Sequence, residues 1–168
     1  MYEDLVRAVL KGDNAKFDAL LAGDIDVSAV TPRDRWNLLH RTLVGITRAP
    51  DPAMIHRLID LGVDVNARDS YGNTPLHYAA RMKNCALMTM LIDAGAQIDP
   101  VNHDGLTPLR LTLSSRPYDP RAVECLLARG ADPNQRTADA QSVREYAQRI
   151  AGSEHEITGL FEKYGAKS

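Results

Sequence analysis

Residues Arg68–Pro100 read RDSYGNTPLHYAARMKNCALMTMLIDAGAQIDP. Thr74 suits a helix N-cap, because its hydroxyl can accept from a backbone N–H of the first turn. Pro75 follows at the first helical position, where a missing N–H costs nothing and the fixed φ is already helical. Leu76, Ala79 and Ala80 then lay a narrow apolar stripe along a short helix. Asn84 suits the cap of a second helix, with Leu87, Met88, Met90, Leu91 and Ile92 as its apolar residues. Gly95 ends that helix where a positive φ is wanted. Neither helix can bury its apolar face alone, so a unit of this kind needs neighbours like itself.

The chain supplies them. Pairs of large apolar residues closing the second helix fall at Leu20-Leu21, Leu58-Ile59, Leu91-Ile92, Leu126-Leu127 and Leu160-Phe161, in steps of 38, 33, 35 and 34 residues. Thr107-Pro108-Leu109 repeats Thr74-Pro75-Leu76 after 33 residues. Gly62-Val63-Asp64-Val65-Asn66, Gly95-Ala96-Gln97-Ile98-Asp99 and Gly130-Ala131-Asp132-Pro133-Asn134 are one turn written three times. A period near 33 around a Thr-Pro-Leu-His core marks one repeat class. On these residues the chain resembles the ankyrin-repeat family over nearly its whole length. The resemblance implies an all-α solenoid of about five stacked helix-turn-helix repeats with short β-hairpin loops. It predicts one domain over 1–168, with repeats at 2–29, 30–67, 68–100, 101–134 and 135–166. It is specific for fold and nearly silent on partner.

The copies are unequal. In repeat one, Leu5, Val6, Ala8 and Val9 supply the first helix and Phe17, Leu20 and Leu21 the second, without a hairpin; Asp24 stands where later copies carry Gly. Its outer Glu3, Asp4, Arg7, Lys11 and Lys16 suit a solvent-facing cap. Repeat two is degenerate: Asn37-Leu38-Leu39-His40 replaces Thr-Pro-Leu-His, Arg35 replaces the hairpin Gly, and extra residues follow Val44. It is expected to be weaker than repeat three. Asp51-Pro52 and Asp119-Pro120 restart the second helices of repeats two and four, and repeat four carries extra residues at 115–118. In repeat five, Ser153 and Glu156 have capping-box spacing before Ile157, Leu160 and Phe161. The expected core runs through Leu39, Leu58, Leu76, Ala79, Leu91, Leu109 and Leu126.

A net charge of −2 sets up no global field toward nucleic acid or membrane. No apolar run approaches the ~20 residues of a membrane span. The acidic start Met1-Tyr2-Glu3-Asp4 does not read as a signal peptide. Cys85 and Cys125 occupy different points of different repeats and read as reduced thiols, which together place the protein in the cytoplasm.

Chemistry-bearing patterns are sparse. His40 and His77 recur at one register position; the resemblance implies a structural His bonded to the neighbouring loop. No third ligand stands at zinc spacing from His77 and Cys85, and Glu154-His155-Glu156 lacks a second His. The Asp and Asn residues at 64, 66, 99, 132 and 134 are turn formers. No catalytic, cofactor-binding or metal-binding residue is therefore assigned, and an enzyme is not expected.

The resemblance places partner binding on a concave face of hairpin tips and first helices. By register this face holds Arg33, Arg35, Trp36, Ser70, Tyr71, Asn73, Arg81, Met82, His103 and Leu106. Trp, Tyr and Arg dominate binding hot spots, though Trp36 reads equally as a cover for the irregular helix start at Asn37. Arg33, Arg35, Arg41 and Arg48 suit a protein partner with an acidic patch. The loops near Thr47 and Tyr118 are further contact candidates. The expectation is a non-catalytic protein-binding module, monomeric when free, acting by occlusion as an inhibitor or immunity-type protein. Adaptor, secreted effector and structural or chaperone-like partner of an enzyme are the alternatives.

Overall fold

The computed structural model describes residues 2–23, 25–44, 51–152 and 155–165. The chain divides into two compact units, 1–75 and 76–168. The first holds α1 (Tyr2–Lys11), α2 (Asn14–Leu21), α3 (Leu38–Val44) and α4 (Pro52–Asp60). The second holds α6 (Cys85–Asp93), α7 (Pro108–Thr112), α8 (Pro120–Ala128), α9 (Val143–Ala151) and α10 (Glu156–Gly165). The helix α5 (Pro75–Arg81) begins on the last residue of the first unit. Among the described residues there is no strand; the one isolated β-bridge pairs Arg136 with Ser142. The expected hairpins are hydrogen-bonded turns rather than ladders.

Six helix starts have a clear chemical cause. Asp51 and Asp119 accept the N–H of Ala53 and Arg121, with Pro at the next position. Asn84 accepts from Leu87, and Thr107 from Arg110. Asn37 does the same work as Thr: its Oδ1 takes the His40 N–H at 3.0 Å and its Nδ2 donates to the Asp64 carbonyl at 2.8 Å. The degenerate start of repeat two is thus a competent cap, and Leu38 and Leu39 behind it are wholly buried. A capping box opens α9. Ser142 N–H donates to Glu145 Oε2 at 2.7 Å, and Glu145 N–H to Ser142 Oγ at 3.1 Å. Ser153, like Asp24, lies outside the described residues.

The apolar stripes become the cores. Leu39 and Leu58 are fully buried in the first unit, and Leu76, Ala79, Leu91, Leu109 and Leu126 in the second. In the N-terminal cap, Leu5, Val6, Ala8, Val9 and Phe17 are buried, whereas Leu20 and Leu21 are only half-buried. An outermost helix has a neighbour on one side only, so its last turn stays partly wet. Arg57 of α4 pairs with Asp18 of α2 and lies 4.8 Å from the Phe17 ring centroid, capping that end of the core.

Four turns precede the first helices of repeats two to five. In three, the first residue donates to the carbonyl four residues on: Asp69 to Asn73 and Asn102 to Leu106 at 3.0 Å, and Thr137 to Gln141 at 2.9 Å. Each turns through a left-handed residue, namely Gly72 (φ 75°), Gly105 (φ 71°) and Ala140 (φ 61°). Asp69 Oδ1 also takes the N–H groups of Tyr71 and Asn73, both at 2.8 Å, and Asn102 Oδ1 those of Asp104 and Leu106. The turn of repeat two is one residue longer, closing from Thr31 N–H to Trp36 O at 2.9 Å, and Arg35 takes the left-handed place at φ 56°. A side chain there costs about 1–2 kcal/mol that Gly does not. Arg35→Gly is therefore expected to raise stability by about 0.5–1 kcal/mol, after the greater freedom of Gly in the unfolded chain is discounted. A urea midpoint that falls or stays unchanged would contradict this.

Candidate protein-interaction surface

In the first unit the tip residues separate into two groups. Arg33, Arg35, Ser70 and Tyr71 are exposed, Tyr71 the most of any large apolar side chain described, at 59%. Asn73 is only 5% exposed; its N–H goes to Asp69 and its carbonyl accepts from His40, so it serves the turn. Trp36 is half-buried. Its indole N–H donates to Asp69 Oδ2 at 3.3 Å, and the Arg41 guanidinium lies 5.4 Å from its ring centroid. These contacts make Trp36 a cover over the helix start and a tie to the next turn. A second tie runs from the Ser70 N–H to the Asp34 carbonyl at 2.9 Å.

Charge at these tips is unbalanced. Arg33, Arg35 and Arg68 are exposed, while Asp34 is half-buried and Asp69 buried beneath them. Arg68 was absent from the register-based candidates because it opens the turn instead of sitting on it. Its guanidinium reaches the Gly72 carbonyl at 3.2 Å, so it stays at the turn that carries Tyr71. Arg41 faces Trp36 and is half-buried, and Arg48 lies outside the described residues. The basic character therefore rests on Arg33, Arg35 and Arg68.

In the second unit Arg81, Met82 and His103 are exposed, Met82 at 40%. Leu106 is half-buried, and its carbonyl accepts from His77 Nε2 at 3.1 Å. The same bond joins His40 Nε2 to the Asn73 carbonyl at 3.0 Å in the first unit. Both His side chains are buried, and burial holds the His40 imidazole below its usual pKa, against the raising effect of the Asn73 bond. These are structural hydrogen bonds from a first helix to the next turn. Removing the donor loses one hydrogen bond while the Leu106 carbonyl keeps the Asn102 N–H, a cost of about 0.5–1.5 kcal/mol. His77→Ala is expected to lower the urea midpoint accordingly. Unchanged stability would remove His77 from the account of how turn and helix are joined. In repeat four Arg110 takes the His position, with its guanidinium 3.0 Å from the Tyr146 ring centroid.

The two insertions fare differently. Residues 45–50, including Thr47, lie outside the described residues. The loop at 113–119 is held by Lys83, whose ammonium donates to the carbonyls of Ser115 and Pro117, the latter at 2.6 Å. Arg116 reaches the Ile150 carbonyl at 3.2 Å. A cavity of about 400 Å³ opens beside it, lined by Arg116, Pro117, Tyr118, Ile150, Ala151 and His155. Among the described residues no three His, Cys, Asp or Glu side chains gather as a metal site, and no helix is long and apolar enough to cross a membrane.

Comparison with known proteins follows the repeat geometry. The family model for ankyrin repeats in three copies matches residues 5–101 and 43–137. Among curated relatives is ankyrin repeat, SAM and basic leucine zipper domain-containing protein 1. The Carollia perspicillata protein is 39% identical over 87 residues, covering 50% of this chain and 18% of that protein. The Mus musculus protein is 38% identical over 87 residues, with the same two coverages. The Dasypus novemcinctus protein is 31% identical over 120 residues, 70% of this chain and 25% of that one. This chain thus spans a quarter or less of the length of these relatives, and the likeness lies in the repeats. The repeat period, the paired helices with their capped starts, the His-to-turn bonds and the family match agree: the chain belongs to the ankyrin-repeat family, whose repeats are protein–protein interaction modules.

Proposed function

We propose that this protein is a non-catalytic binding module that engages a protein partner through its hairpin tips, chiefly those of the first unit. The observation that carries the reading is Tyr71, an aromatic at 59% exposure on a turn whose backbone groups are bonded internally. Such a side chain offers a large contact area at low entropic cost, and the preformed turn removes an ordering penalty. Arg33, Arg35 and Arg68 around it favour a partner with an acidic patch, because complementary charge speeds encounter. Arg81, Met82, His103 and Leu106 are the corresponding candidates in the second unit.

Occlusion of a partner's active or docking site is the mechanism we favour, which makes the protein an inhibitor or immunity-type protein. Adaptor, secreted effector and chaperone-like roles use the same surface differently. The free protein is assigned as a cytoplasmic monomer without cofactor, membrane or nucleic-acid partner. Immobilised protein exposed to native lysate, with bound proteins identified by mass spectrometry, tests the reading. One protein retained stoichiometrically by the natural sequence and lost from a Tyr71→Ala, Arg33→Glu column is the expected result. Equal retention on both columns, or turnover of a small molecule without any retained protein, would overturn it.

A further inference from the structure

The second unit holds a pair of thiols that the binding reading does not use. Cys85 is the first residue of α6 and is exposed; Cys125 lies in α8 and is half-buried. Two contacts fix how these helices lie. Thr89 Oγ1 is 3.6 Å from Cys125 Sγ, and Arg129 pairs with Asp93 at 2.5 Å. Both contacts join residues 36 apart, so α6 and α8 run parallel in one register. Side chains on a helix lean toward its N-terminus. Cys125, level with Thr89, therefore leans back toward the preceding turn of α6, where Cys85 stands. The Cys125 Sγ lies 3.6 Å from the Cys85 carbonyl. Burial pushes the Cys125 thiol up to about 11, and its hydrogen bond with the Cys85 thiol pushes in the same direction. The Cys125 sulfur therefore lies against the backbone of Cys85 and within hydrogen-bonding reach of its thiol, across a helix pair whose register is held at two further points.

We infer that Cys85 and Cys125 form an oxidative-modification site, at which hydrogen peroxide joins them as an intrachain disulfide tying α6 to α8. Cys85, exposed, reacts first: its thiolate attacks one peroxide oxygen, the O–O bond breaks, and the departing oxygen leaves as water after taking a proton. Cys85 is then a sulfenic acid. The Cys125 sulfur, giving up its proton, attacks the Cys85 sulfur and displaces the hydroxyl, which leaves as a second water. Two thiols are oxidised and one peroxide is reduced to two waters. In a reducing compartment such a bond is transient and sensing, not structural.

Hydrogen peroxide added to the folded, reduced full chain in non-denaturing buffer tests the site. The expected product is a monomer lighter by two hydrogen atoms, with the Cys85 and Cys125 peptides linked and the link reversed by dithiothreitol. Closing a 40-residue loop should raise Tm by roughly 5–10 °C. Cys125→Ser, nearly isosteric, should keep the fold, form no intrachain link and accumulate oxygen on Cys85. Addition of oxygen to Cys85 in the natural sequence without a link, or a disulfide only between two chains, would overturn the inference.

Discussion

Gly105→Ala should cost the protein about 2–5 kcal/mol, summed from two sources with a built-in control. The first is conformational. Gly105 has φ 71°, and a side chain in the left-handed region costs about 1–2 kcal/mol. The second is space. A Cβ at this position would stand 2.6 Å from the Ala138 Cβ, 2.8 Å from the Ala138 nitrogen and 3.0 Å from its Cα. Two of those three atoms are backbone, so no rotamer change relieves the contact; one turn must move away from the other. Forced overpacking of this kind adds about 1–3 kcal/mol. At about 2–4 °C per kcal/mol for a chain of this size, Tm should fall by roughly 4–20 °C. Gly62 supplies the control. Its φ is 82°, yet nothing lies within 4 Å of the added atom, so Gly62→Ala should show the conformational loss alone. Equal losses at the two positions would mean that the turns do not pack at Gly105 as described.

The second large effect concerns binding and follows from the proposed function. Tyr71→Ala should weaken partner binding by about 2 kcal/mol, roughly thirtyfold, while leaving stability nearly unchanged. Its ring is exposed, and the Tyr71 contact that sustains the turn runs through its backbone N–H, which alanine retains. Trp36→Ala is a poorer probe. Loss of the indole removes the bond to Asp69 and the neighbour of Arg41, so stability should fall and reduced binding would not report a contact. Arg33→Glu with Arg35→Glu should slow association and flatten its salt dependence, with a smaller change in dissociation, because exposed charges act mainly on encounter.

The helix pairs were legible because their signals are local. Asp51, Asn84, Thr107 and Asp119 sit directly before apolar periodic runs, and each caps as its position predicts. The buried leucines were legible for the same reason. Asn37 was harder to place, since it departs from the Thr-Pro pattern; the cap needs only an oxygen at the right reach, and Asn supplies one. Ser142-x-x-Glu145 and Ser153-x-x-Glu156 have identical spacing; the first is a capping box at the helix boundary before Val143, and Ser153 of the second lies outside the described residues.

The candidate surface was legible as a set of positions and not as a set of exposures. Asn73 and Tyr71 are neighbours in one turn, yet one points into a hydrogen-bonded interior and the other into solvent. Trp36 was open between two roles because its burial depends on Asp69, 33 residues away. Cys85 and Cys125 fall at different repeat positions; the Cys125 sulfur reaches back one turn to the Cys85 carbonyl, which a period count does not contain.

Affinity for the captured partner, measured side by side for tip and second-helix variants of matched stability, tests the central claim most directly. Lys16→Ala and Arg121→Ala are the controls, both exposed on second helices and not on tips. Glu124 is unsuitable, since it accepts from Lys163 at 2.8 Å and Tyr164 at 3.1 Å and so joins α8 to α10. The account predicts a loss of roughly tenfold or more for Tyr71→Ala and for the Arg33→Glu, Arg35→Glu pair, with both controls within twofold of the natural protein. Full affinity in well-folded tip variants, or an equal loss in the controls, would contradict binding through the hairpin tips.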